Sequence, residues 1–425
     1  LTSITIPESV TSIGDDAFRG CSRLTSITIP KGLTSIGYGA FYGCSSLTAI
    51  TIPESVTSIG EWAFYNCSSL TSIVLPESVT SIGNDAFSWC SSLTSITLPE
   101  GVTSIGEWAF YKCSSLTSIT LPEGVTSIGE DAFYGCSNLT DITIPEGVTS
   151  IGSNAFAYCS SLERVTINCA NVGSWFSGLS SLKEIVLGES VTSIGSSAFR
   201  DCSSLTSITI PESVTSIKYS AFYNCSSLTS ITIPESVTSI GEKVFYNCSG
   251  LTSITLPESV TSIGSNAFYG CSSLNGAFIS AETPPTIGTS VFPNNSFYIY
   301  VPASSVEAYK SAEGWSGYKN IQSTDLIRVD GIWYEFITKA KIAKVSTPTG
   351  IKYVGSISIP ATVTYEGVTY SVTSIGEKAF YNCSGLTSIT IPESVTSIGN
   401  SAFYGCSRLT SITIPESVTS IGDDA

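Results

Sequence analysis

The sequence predicts a β-rich repeat solenoid of 23-residue coils with short strands and single helical turns. Three observations carry this. Cys21, Cys44, Cys67, Cys90, Cys113, Cys136 and Cys159 stand 23 residues apart, and the spacing resumes from Cys202 to Cys271 and again between Cys383 and Cys406. Around each cysteine nearly the same unit recurs, L-T-S-I-T-I-P-E-S-V-T-S-I-G-x-x-A-F-Y-x-C-S-S. The phrase LTSITIPESVTSIGDDA fills both residues 1–17 and residues 409–425, so both ends of the chain fall inside the pattern. A period in the twenties is the size at which one solenoid coil closes. One such coil buries its apolar face only against its neighbours.

Each part of the unit has a local reason. Leu24, Ile27 and Ile29 show the L-x-x-I-x-I spacing of a short strand, with Thr and Ser at the outward places between them. Pro30 ends the pairing because it has no N–H to donate. P-E-G-V, as at residues 99–102, predicts a type I turn with Pro at its second place and Gly at its fourth. V-T-S-I-G predicts a second extended segment whose Gly turns the chain at positive φ. A-F-Y-x-C is too short for an independent helix, so a single helical or 3₁₀ turn is expected, with Phe and Cys inside.

The residues C-x-x-L-x-x-I-x-I-P-x-x-V-x-x-I-G-x-x-A-F closely resemble the BspA-like (Treponema pallidum-type) leucine-rich repeat over residues 1–275 and 371–425. The resemblance implies a right-handed leucine-rich-repeat coil and a place on the surface of host-associated bacteria. It also implies adhesion to host matrix or cell-surface proteins.

Two breaks divide the chain. Between Cys159 and Cys202 the step is 43 residues, and a degenerate unit at 162–181 brings in Trp175 and Phe176 off pattern, with Leu179 in the cysteine place. From 276 to 325 the pattern fades, and Val306, Tyr309, Trp315, Tyr318 and Ile321 suit a short amphipathic helix and packed loop, as a terminal cap of the first array. Residues 326–370 carry hairpin signals at V-D-G-I and Y-E-G-V and are expected to lead into a second, truncated array at 371–425.

Composition narrows the function. A formal charge of -16 argues against nucleic acid and anionic lipid, both of which want basic surfaces. No apolar run reaches the roughly 20 residues of a membrane helix. Histidine is absent, which removes Ser-His-Asp and Cys-His nucleophiles and His-containing metal sites. No phosphate-binding loop, nucleophile elbow or calcium-loop motif occurs, so no cofactor is expected. Paired acids such as Asp15 with Asp16, or Asp85 near Glu61 and Glu107, sit where Ser, Asn, Lys and Tyr also stand, as solvated positions do. The chain is therefore expected not to be an enzyme.

The remaining candidates are surfaces. Glu8, Glu54, Glu77, Glu100, Glu123 and Glu146 begin an acidic row that favours solubility, with weak Ca²⁺ binding as the functional alternative. The cysteines are expected as buried free thiols, and Cys169, off the ladder, as the one to test for reactivity. The variable places after Gly and after Phe hold Trp62, Trp89, Trp108, Tyr65, Tyr111 and Tyr134, the candidate protein-contact surface, because Tyr and Trp dominate interface hot spots. Aromatic platforms also stack on sugars. The expected function is thus a cell-surface or secreted, protein-binding solenoid, an adhesin for extracellular proteins or glycoproteins. A carbohydrate-binding module and a structural spacer are the alternatives.

Overall fold

The computed structural model describes residues 2–274, 276–293, 298–324, 326–337, 341–348, 350–365 and 367–425. Leu1, the Asp325 boundary and Glu366 of the Y-E-G-V signal lie outside the described residues. The chain divides into two compact units. The first comprises residues 1–251, 259–272 and 285–293, and the second residues 252–258, 273–284 and 294–425.

In the first unit, coils are joined by backbone hydrogen bonds on three faces. The S-I-T segments form parallel strands: Ser26–Thr28 pairs with Ser3–Thr5, and Ala49–Thr51, Ser72–Val74, Ser95–Thr97 and Ser118–Thr120 follow one another in the same register. Their central isoleucines are buried between exposed neighbours, the alternation that a half-buried strand imposes. The V-T-S-I segments make a second parallel ladder, from the Ile13–Ile36–Ile59–Ile82 bridges into Ser104–Ile105 and Ser127–Ile128. The first ladder runs through the degenerate unit, from Asp141–Ile144 by Arg164–Ile167 to Glu184–Leu187, whereas the second stops at Ser150–Ile151 and a new run starts with Asn171–Val172 and Ser193–Ile194.

The third face differs from the expected helical turn. In A-F-Y-x-C the Cys67 amide does bond back to the Phe64 carbonyl, at 3.1 Å. Alternate amides instead leave the coil: Trp62, Phe64 and Asn66 donate to the carbonyls of Asn84, Ala86 and Ser88 at 2.9, 2.8 and 2.7 Å. Aiming those amides at the next coil needs two left-handed residues per coil, here Trp62 at φ 58° and Asn66 at φ 56°. Inter-coil bonding thus replaces the local helix. Among the described residues of this unit, a 3₁₀ turn is found at Ser174–Phe176.

Inside, Phe41, Phe64, Phe87, Phe110, Phe133 and Phe156 are fully buried and stack with centroids 5.3–5.4 Å apart. Phe176 belongs to this column, 5.1 Å from Phe156 and 6.5 Å from Phe199, so the degenerate unit keeps its phenylalanine in place. Trp175 packs edge-on against Phe176 at 6.3 Å. Each buried cysteine of the 23-residue ladder in this unit fills the slot beside the column and donates its S–H to a phenylalanine carbonyl of the preceding coil, as Cys67 does to Phe41 and Cys113 to Phe87 at 3.2 and 3.1 Å; Cys169, off the ladder, lies near the Asn171 carbonyl instead.

Two local expectations are corrected. The proline turn is closed by Val N–H on the Pro carbonyl, as from Val56 to Pro53 at 3.0 Å, so Pro is the first residue of the turn and Ser or Gly the third. Where Ser stands there, its hydroxyl bonds the previous coil, as Ser213 does to Val191 and Ser236 to Val214 at 2.6 Å. The glycine of V-T-S-I-G is not at positive φ; it is needed for close approach. A Cβ on Gly106 would lie 2.6 Å from the backbone nitrogen of Asn84 and the carbonyl carbon of Gly83.

The second unit contains parallel strands Ser253–Leu256, Gly276–Ile279, Tyr298–Pro302 and Ile321–Thr324. The helix Val306–Ser311 buries Tyr309, whose hydroxyl donates to the Ala281 carbonyl at 2.8 Å and whose ring meets Trp315 edge-on at 5.0 Å. Leu326–Val329, Ile332–Ile337 and Ile342–Val345 are antiparallel, and Thr362–Tyr365 pairs antiparallel with Val368–Ile375. Ile342–Val345 pairs parallel with Val368–Ile375, and this parallel ladder continues through Ser397–Ile398 and Ser420–Ile421, while Phe380 stacks on Phe403 at 5.3 Å.

The glycine column and the proline turn make opposite predictions. Gly106→Ala forces backbone against backbone and is expected to cost about 1–3 kcal/mol. Gly101→Ser places a serine where other coils have one, with the nearest Cβ contacts at 3.6 Å, and is expected to gain about 1 kcal/mol from the new hydrogen bond and a stiffer unfolded chain. Urea unfolding of the two variants checks both signs; a tolerated alanine at position 106 would remove the close-approach explanation.

Candidate functional site

The variable residues lie on the turn face of the first unit, and the backbone there decides where they point. Two left-handed places recur in each coil. The earlier holds Asp16, Trp62, Asp85, Trp108, Asp131 and Asn154; the place just before cysteine holds Asn66, Trp89, Lys112 and Tyr158. Asn, Asp and Gly adopt this conformation readily, whereas a bulky residue is strained there. Trp62, Trp89 and Trp108 all sit at φ between 53° and 61°.

These residues form two groups. Trp62 is half-buried with Tyr65, and its ring lies 5.3, 6.0 and 6.2 Å from Tyr38, Tyr42 and Tyr65, while Tyr42 and Tyr65 stack at 4.7 Å. Ser88 then takes the tyrosine place, fully buried, and interrupts the stack. On the other side Trp89 lies 6.1 Å from Tyr111, which stacks on Tyr134 at 5.0 Å, followed by Tyr158 at 4.8 Å. The Lys112 ammonium sits over Trp89 at 4.2 Å. Trp108 stands with Asp131 instead, its indole N–H donating to the carboxylate at 3.0 Å, as Trp62 donates to Asp85.

Exposure separates the groups. Trp89, Trp108 and Tyr158 are 40%, 36% and 70% exposed, whereas Trp62, Tyr65, Tyr111 and Tyr134 are half-buried within their stacks. Sequence reasoning missed Tyr158 and Lys112. Aligning on the residue before each cysteine finds them, since Trp89, Lys112 and Tyr158 share that place.

Of the acids considered for catalysis, Asp15, Asp16 and Asp85 are engaged in the fold, and Glu61 and Glu107 are exposed. Asp15 accepts the Tyr38 amide at 3.1 Å, and Asp16 pairs with Arg19 at 3.2 Å. The Glu row is exposed, and among the described residues no three His, Cys, Asp or Glu side chains converge on a point where a metal ion could sit. No helix among them is long and apolar enough to cross a membrane.

All the cysteines are free thiols. Burial pushes those of Cys90, Cys159 and Cys202 up to about 12. Cys169, expected as the reactive candidate, is 1% exposed and pushed up to about 11, so it too is shielded. With mildly alkaline iodoacetamide the native protein should be alkylated only at Cys21 and Cys406, the two partly exposed thiols, with the rest reacting after denaturation. Rapid native labelling of Cys113 would contradict the packing described above.

Burial also raises the Asp85 carboxyl above its ordinary range, and the Trp62 indole hydrogen bond offsets part of that rise. A carboxyl raised in the folded state favours folding below its unfolded value and loses that contribution as pH rises through the folded value. Asp85→Asn keeps an acceptor for Trp62 and suits the φ of 53°. It should raise the melting temperature near neutral pH, with the advantage gone by about pH 4. Equal melting temperatures at neutral pH would refute this.

The family model for the BspA type leucine rich repeat region matches residues 1–88, 67–176, 173–298 and 356–425. Among solved structures, a leucine-rich repeat protein from Bacteroides ovatus is 30% identical over 96% of this chain and 85% of its own, with a TM-score of 0.47. A leucine rich cell surface protein from Faecalibacterium prausnitzii is 32% identical over 76% and 88%, with a TM-score of 0.40. The T. pallidum leucine rich repeat protein is 32% identical over 43% and 78%, with a TM-score of 0.34. No curated protein matches the chain. With its repeats in parallel register and the family model matching most of its length, the chain belongs to the BspA-type leucine-rich-repeat family.

Proposed function

We propose that the chain is a non-enzymatic, cell-surface or secreted solenoid that binds extracellular proteins. Its contact surface is the exposed aromatic group of Trp89, Trp108 and Tyr158, backed by the half-buried stacks around Trp62, Tyr65, Tyr111 and Tyr134. The observation that carries this reading is conformational. Bulky aromatics stand 40% and 36% exposed at left-handed positions that most other coils give to Asn, Asp, Gly, Ser or Lys, a placement that costs stability beyond what their few surface contacts return. Exposed Trp and Tyr supply contact area at low entropic cost. The Lys112 ammonium over Trp89 gives the patch one cation on an otherwise acidic chain, so an acidic or glutamate-rich partner surface is tolerated beside it. The surface location is supported by the Faecalibacterium prausnitzii protein, which is described as a cell surface protein.

The test is binding to immobilised matrix glycoproteins, before and after deglycosylation, by the native chain and by the Trp89→Asn/Trp108→Asn variant. Saturable binding that survives sugar removal and weakens about tenfold or more in the variant is expected, because hot-spot truncations of this kind exceed about 2 kcal/mol. The variant should melt no lower than the native chain, since asparagine suits both positions. No binding at micromolar concentration, or binding indifferent to the two tryptophans, would overturn the proposal.

A further inference from the structure

Further along the first unit the left-handed place before cysteine changes character. It holds Asp201, Asn224 and Asn247 in succession, then Gly270, at φ of 60°, 58°, 57° and 79°. These residues and Ser203, Ser226 and Ser249 line an open groove of about 520 Å³. The Asn224 amide donates to the Asp201 carboxylate at 2.7 Å, and Arg200 pairs with that carboxylate at 3.2 Å, so the floor is hydrogen-bonding but locally neutral. The Asn247 side chain lies against Gly270, where an added Cβ would have to displace its Oδ1. Beside the floor runs a stack of Tyr223, Tyr246 and Tyr269 with centroids 4.8 and 5.2 Å apart. Tyr269 is 46% exposed.

We propose that this groove binds a neutral oligosaccharide, one sugar ring per coil, with Asn224 and Asn247 reading hydroxyls and Tyr269 offering a stacking face. Three features select this ligand class. Side-chain amides supply a donor and an acceptor together, which suits vicinal hydroxyls. The lining repeats at the coil spacing of about 5 Å seen in the tyrosine stack, on the order of the length of one pyranose with its glycosidic oxygen. An extended peptide repeats its side-chain direction only every roughly 6.8 Å and falls out of step within two coils, and the groove has no apolar pocket to anchor its side chains. The chain's net charge of -16 disfavours anionic glycans.

The groove and the aromatic group of the previous section share no residue, so the two readings fail separately. The experiment is saturation-transfer NMR on the full chain with neutral gluco-, manno- and galacto-configured oligosaccharides, from one to six sugars. Binding is expected to strengthen with length up to the three or four coils of the groove and then level off. Asn224→Gly/Asn247→Gly keeps residues that suit positive φ, as Gly43 and Gly135 do at the same place, and should weaken binding about tenfold or more while the chain stays folded at the assay temperature, with melting lowered only by the lost Asn224–Asp201 hydrogen bond and the added glycines. Tyr269→Ala should weaken it too, while Trp89→Asn/Trp108→Asn leaves it unaltered. No saturation at millimolar sugar, affinity independent of length, or binding that survives the double glycine variant would overturn the proposal.

Discussion

Hydrogen bonding between successive coils on three faces fixes the distance at which every side chain must repeat. Two of these ladders are parallel strands, and the third is made by alternate amides of the A-F-Y-x-C segment. Once that spacing is set, the interior has little freedom. A phenylalanine column at 5.3–5.4 Å fits it face to face, and a cysteine per coil fills the remaining slot while its S–H satisfies a carbonyl. The glycine of V-T-S-I-G follows from the same spacing, because backbones there approach more closely than a Cβ permits. Threonine completes the pattern: Thr71, Thr94 and Thr117 each turn the hydroxyl back onto the carbonyl of the previous coil at 3.2 Å, so the polar face also ties coil to coil.

What could be read in the sequence was whatever repeats as burial. Leu24, Ile27, Phe64 and Cys67 declare themselves inward by period and residue type, and all are buried. What could not be read depends on hydrogen bonds between residues 22 or 23 apart. The A-F-Y-x-C segment looks like a helical turn locally, and only the bond from Phe64 to the Ala86 carbonyl shows why its amides face outward. The proline turn is offset by one residue because Pro supplies a carbonyl instead of a φ constraint. The glycine of V-T-S-I-G suggests positive φ, yet its role is steric; the left-handed places fall later in the coil, on Asp, Asn, other Gly, Ser and Lys and, unexpectedly, Trp. Phe176 seemed an extra aromatic because its unit is short, yet it occupies the column.

The candidate surface was legible in part for the same reason. Trp62 and Tyr65 fall together with Tyr42, and Trp89 with Tyr111 and Tyr134, because columns of variable residues on one face are visible once units are aligned. Exposure was not legible. Whether an aromatic stands free or lies in a stack depends on its neighbours one coil away, and the buried Ser88 that breaks the tyrosine column is what separates the two groups. That the Asn224 and Asn247 amides line one groove follows only from the stacking of their coils.

The third ladder therefore sets the terms on which this fold displays anything. It obliges two residues per coil to adopt a conformation that costs most side chains about 1–2 kcal/mol and costs glycine and asparagine little. Some of those residues stand free in solvent, as Trp89 and Tyr158 do, while Trp62 is half-buried and Ser220 is fully buried. Where one of them is exposed, a ligand meets it at a position where the backbone resists large side chains. A coil that serves only to extend the stack has every reason to place Gly, Asn or Asp there. Trp89, Trp108, Lys112 and Tyr158 depart from that economy over neighbouring coils, and each departure is drawn from the stability that the phenylalanine column and the inter-coil bonds supply. A fold whose stability is roughly the sum of its coils and their interfaces tolerates several such costs in a row. That tolerance lets an array of near-identical units carry one local surface unlike the rest.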